Sequence, residues 1–81
     1  MDATEEVVEL GLIDYQYQGR VVYKARAERH RGGEWVAAVA LVVGPSGELA
    51  SEWIRFAPSN KYYSATLDTA VERGRVLGLW M

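Results

Sequence analysis

The side chains that could do chemistry are few and scattered. His30 is the one histidine, and the chain has no cysteine. A lone imidazole is the only ordinary side chain that titrates near neutral pH. It stands in His30-Arg31-Gly32-Gly33 with no nucleophile beside it in sequence, so it reads as a turn residue rather than a catalytic base. Metal binding needs clustered His, Cys or carboxylates, and no run of acidic residues has the spacing of a calcium loop. Phosphate cradles run from glycines into a helix, whereas Gly32-Gly33 and Gly44-Pro45-Ser46-Gly47 each lead into strand-like sequence. Glu5 with Glu6 and Glu48 with Glu52 are the nearest approach to paired carboxylates, and nothing implies burial that would perturb them. The inventory predicts no catalytic residue, no cofactor, no metal site and no enzymatic activity.

A basic constellation is the first feature above that background. Arg20, Lys24, Arg26, Arg29 and Arg31, with Tyr15, Tyr17 and Tyr23 nearby, could hold phosphates while bases stack on the rings. Two observations oppose a nucleic-acid role. Asp and Glu total 11 against 9 Lys and Arg, a net charge of -2. Alternation also points Tyr23 away from Lys24 and Arg26. The competing reading is a charged face that discourages edge pairing.

The elements that position these residues can be read in turn. Trp35 to Val43 is nine residues without a charge or hydroxyl, rich in β-branched side chains and bounded by glycines. Such a run predicts a strand buried on both faces at the middle of a sheet. Residues 20–30 alternate, with Val21, Tyr23, Ala25 and Ala27 opposed to Arg20, Lys24, Arg26 and Glu28. Gly32-Gly33 and the Gly44–Gly47 segment predict antiparallel connections. Residues 48–57 form another strand, with Ile54 and Phe56 on one side, Leu49 and Trp53 on the other, and Pro58 ending it.

The amino-terminal region has two readings. Asp2 and Glu5 could open a short helix closed by Gly11, or residues 1–6 are flexible and a strand runs over 11–17 to a turn at Gln18-Gly19. The second is the one adopted. At the other end, Thr66 as N-cap and Asp68 in the first turn predict a helix over 66–79. Leu67, Ala70, Val71, Gly74, Leu77 and Gly78 form its packed face, and Trp80 folds over the core edge.

This chain therefore reads as one α+β domain of 81 residues: a three- to four-stranded antiparallel meander over about 11–17, 20–30, 34–43 and 48–57, with one carboxy-terminal helix across a face. Tyr17-Gln18-Gly19, Trp35, Phe56, Tyr63, Thr66, Ala70 and Trp80 together resemble a group of small bacterial proteins of unknown function with a β-β-β-α plan. The resemblance spans Tyr17 to Trp80 and implies a fold, with no catalytic residue carried across. This chain departs from the group by ending at Trp80-Met81, where an acidic residue and a polar tail are expected.

One helix covers one sheet face. Val22, Val36, Ala38, Ala40, Val42, Leu49 and Trp53 then fall on the other side, where a continuous apolar patch in water calls for a covering surface. A second copy of the chain is the simplest cover, since a two-fold axis makes one patch complementary to itself. The amino-terminal segment through Val7, Val8, Leu10 and Leu12, or another protein, would serve as well. The expectation is a non-enzymatic interaction module, a homodimer, with nucleic-acid binding as the alternative. No apolar run is long enough to span a bilayer and no secretory signal opens the chain, so a cytoplasmic location without membrane contact is expected.

Overall fold

Strand β3 (Trp35–Val43) lies between neighbours on both sides, as its uninterrupted apolar sequence requires. The computed structural model describes residues 6–13, 22–30, 33–43 and 48–80. Along one edge of β3 runs β2 (Val22–Arg29), which pairs in turn with β1 (Glu6–Ile13). Along the other edge lie two short pieces, β4 (Glu48–Leu49) and β5 (Ile54–Asn60). All pairings are antiparallel, and the sheet curls into a half-barrel with helix α1 (Tyr63–Trp80) packed on it, an α+β fold.

Register assigns the two faces. Tyr23 pairs with Leu41, Ala25 with Val39 and Ala27 with Ala37, and this side meets the helix. Ala25, Val39 and Ala70 are fully buried in that core, with Phe56, Val71 and Leu77 packed around them. Small residues at the contact let the helix lie close on the strands, and Gly74 is buried on the same face. Burial pushes the Tyr23 phenol above its ordinary pKa.

The two ends of the hairpin between β2 and β3 are tied by Gly33 N–H donating to His30 C=O at 3.0 Å. A Cβ on Gly33 would approach that carbonyl oxygen to 3.2 Å, a tight contact that the His30 carbonyl would have to yield to by a few tenths of an ångström. Gln18-Gly19, the Gly44–Gly47 turn and the amino-terminal residues 1–5 lie outside the described residues, as does the side chain of Trp80.

Three boundaries differ from the sequence expectation. Strand β1 starts at Glu6 rather than near residue 11, because Gly11 sits inside it at φ 104° and opens a bulge. Glu9 pairs with Arg26 while Gly11 pairs with Ala25, which leaves Leu10 as the extra residue. The bulge reverses the in-out phase midway and blurs the alternation that marks a strand. The helix starts at Tyr63, so Thr66 is not its N-cap and Asp68 lies beyond the first turn. Instead, Asn60 Oδ1 accepts from Tyr62 N–H at 2.8 Å before the first turn, and buried Thr66 Oγ1 donates back to Tyr62 C=O at 2.9 Å. Pro58 does not end β5. It sits in an irregular stretch where the five residues from Phe56 to Asn60 stand opposite the three from Ala37 to Trp35, on an edge where a missing N–H is tolerated.

The gap between β4 and β5 is closed by a side chain. Ser51 Oγ accepts from Leu41 N–H at 2.9 Å and donates to Glu52 C=O at 3.0 Å, while Ala50 N–H donates to Leu41 C=O at 2.9 Å. Ser51→Ala leaves the Leu41 N–H without that acceptor and is expected to cost about 1–2 kcal/mol in a urea titration. A loss under about 0.3 kcal/mol would show that water replaces the hydroxyl freely.

Candidate functional site

The side of the sheet away from the helix carries a charge cluster built across four strands. Glu9, Arg26, Ala38 and Arg55 follow one another from β1 through β2 and β3 to β5 as register partners. One row along, Val7 pairs with Glu28 and Glu28 with Val36. Because Ala38 is small, the two flanking arginines can lean over it and converge on Glu28.

Glu28 is 1% exposed and receives both of them. Arg26 Nε donates to Oε2 at 2.7 Å, and Arg26 Nη2 contacts the same oxygen. Arg55 Nε donates to Oε1 at 2.5 Å and its Nη2 to Oε2 at 3.0 Å, a bidentate clasp. Arg55 Nη1 also donates to Trp53 C=O at 3.3 Å. His30 Nε2 stands 3.7 Å from Oε1. The Arg26 guanidinium lies 3.8 Å over the centre of the Trp53 ring and 3.5 Å from Glu9 Oε2.

Burial alone would raise the Glu28 pKa, but the hydrogen bonds from Arg55 and Arg26, and their charges, outweigh it and hold the carboxyl below its ordinary value. The Glu28 hydrogen bond in turn holds Arg55 above its ordinary value against the opposing effect of burial. A carboxylate so held is a weak base and stays ionised at neutral pH. Its partners are spent on it rather than aimed at a ligand, so the cluster works as a clasp across β2, β3 and β5.

The apolar side expected to be open is largely buried in the single chain. Val22, Ala38, Ala40 and Val42 are no more than 2% exposed within the single chain, and Val36 and Trp53 are half-buried. Of the seven residues, only Leu49, at 45%, is strongly exposed. The side expected to need a second chain is closed within one.

The basic constellation is divided. Arg20 and Arg31 lie outside the described residues. Arg26 is on Glu28 and Glu9, while Arg29 is ion-paired with Glu6 and lies 5.0 Å from the centre of the Trp35 ring. Lys24 is half-buried opposite Ala40. Sequence reasoning passed over Arg55 and placed Glu28 with Arg20, Lys24 and Arg26 on one side of its strand without giving it a role. The available signal was a charged residue in phase with Arg26 beside a strand of alanines, which leave room for long side chains above them.

An open groove of about 380 Å³ follows the irregularity of β5, lined by Val36, Arg55, Phe56, Ala57 and Ser59. Its two polar members have internal partners: Arg55 is on Glu28, and Ser59 Oγ donates to Glu34 Oε1 at 2.8 Å. Among the described residues no group of three His, Cys, Asp or Glu could hold a metal ion, and no helix is long and apolar enough to cross a membrane. No family model, curated protein or solved structure matches this chain.

Proposed function

We propose that this protein is a non-enzymatic interaction module that associates with a second copy of itself along the margin of its sheet at β1. The observation that carries the reading is the exposure on that strand: Val7 is 46% and Leu10 51% exposed, on an edge strand paired only to β2 among the described residues. An eight-residue edge offers unpaired backbone groups to another strand. The opposite margin is split into β4 and β5 and interrupted by Pro58, which makes it a poor template. The absence of enzymatic activity is supported by the clasp, whose ionisable groups are spent on one another. The nucleic-acid alternative has no comparable support, since both described arginines of its set are on carboxylates.

Light scattering tests the association. The parent should weigh twice the 9.1 kDa chain at micromolar concentration, and Val7→Lys with Leu10→Lys should return it to a single chain with its circular dichroism unchanged. A parent of single-chain mass up to millimolar concentration overturns the reading.

A further inference from the structure

Strand β5 has no buried residue: six of its seven are exposed and Phe56 is half-buried, whereas five of the eight in β2 are buried. Its ladder to β3 is interrupted between Ala37 and Trp35, and there the groove lined by Val36, Arg55, Phe56, Ala57 and Ser59 opens. Both ends of the segment are tied. Ser51 Oγ accepts from Leu41 N–H ahead of the strand, and Asn60 Oδ1 accepts from Tyr62 N–H at the helix start. Between these ties, among the described contacts, Ser59 reaches the exposed Glu34, and the Arg73 guanidinium lies 5.6 Å from the centre of the Phe56 ring. Arg55, bidentate on Glu28, is the attachment that ends on a buried charge.

We propose that β5 is a strap that bows away from β3 while β2, β3 and α1 stay folded, with the Arg55–Glu28 ion pair as its latch. The buried core does not include the strap: Tyr23, Ala25, Ala37, Val39 and Ala70 come from β2, β3 and α1, with Phe56 packed against them from outside. The Trp35 ring meets Tyr63 and Arg29, so the helix start keeps its support when the strap lifts. A segment with little buried apolar surface opens at a lower free energy than the core beside it. Opening widens the groove and uncovers the edge of β3 over Ala37, Ala38 and Val39.

Amide hydrogen exchange in rising urea, read residue by residue by NMR, tests this. Amides bonded between β3 and β5 should share one opening whose urea dependence is less than about half that of amides bonded between β2 and β3, because less surface is exposed. Arg55→Met should speed their exchange about fivefold. Ala25→Gly, in the core that stays folded, weakens the closed and open forms alike. It should leave exchange between β3 and β5 unchanged while speeding exchange between β2 and β3 about fivefold. A common urea dependence, or an equal response of both sets to Ala25→Gly, overturns the strap. An opening that Arg55→Met leaves within about twofold of the parent overturns the latch. Should Ala25→Gly fail to fold, the urea dependence of the parent decides the first point alone.

Discussion

Glu28→Gln is expected to lower the unfolding free energy by about 3 kcal/mol, the lower end of what removing one partner from a buried ion pair costs. The substitution keeps the shape and an acceptor but removes the charge that two guanidiniums share. Arg26, whose side chain is 18% exposed, is then left as a poorly hydrated cation with Glu9 at 3.5 Å as its remaining counter-ion. Arg55, at 50%, recovers water more easily, so Arg55→Met should cost about 1 kcal/mol.

The pH profile separates this from a packing loss. A carboxyl whose folded pKa is depressed binds its proton more readily in the unfolded chain. Its stabilisation is therefore fully present above the ordinary value of 4.5 and is lost as pH falls below it through the depressed value. Urea titrations of the parent should lose stability over that acid window, and Glu28→Gln should lose less. A variant within about 0.5 kcal/mol of the parent at pH 7, or one with the parent's acid slope, would show that the clasp contributes no net stability.

Trp35→Ala should cost about 3–5 kcal/mol, as truncation of a buried aromatic does. At 7% exposure, Trp35 opens the central strand where three elements meet. Its ring centre is 5.8 Å from that of Tyr63, tilted by 55°, at the first turn of α1, and the Arg29 guanidinium lies 5.0 Å away on β2. Loss of the indole removes apolar burial and the lateral support of the helix start together. A double-mutant cycle with Tyr63→Leu should give a coupling of about 1 kcal/mol, the share owed to the ring pair rather than to burial. A coupling near zero would mean that the helix start is held by Asn60 and Thr66 alone.

Elements with a single uninterrupted period were legible. The central strand, the face shared by Tyr23, Ala25 and Ala27, and the helix face through Ala70, Val71 and Leu77 all follow from spacing, because one phase held along each. What sequence could not supply was the cross-strand register between β3 and β5. Without it nothing places Arg55 beside Ala38, and arginine counts as a surface residue although its stem covers apolar neighbours well. The same gap made Ala38 read as uncovered. The helix start was misread for a different reason: a threonine can cap a helix or bond back within it, and composition does not separate the two.

The bulge at Gly11 has a consequence for how this strand can vary. Upstream of it odd-numbered positions, Val7 and Glu9, share the row of Glu28 and Arg26, whereas downstream the partner of Lys24 is the even-numbered Leu12. The strand therefore carries a reading frame with one seam. Gain or loss of a single residue anywhere else would turn half of it inside out, while at the seam the change is absorbed by removing or widening the irregularity, making it the natural place for lineages to differ in length.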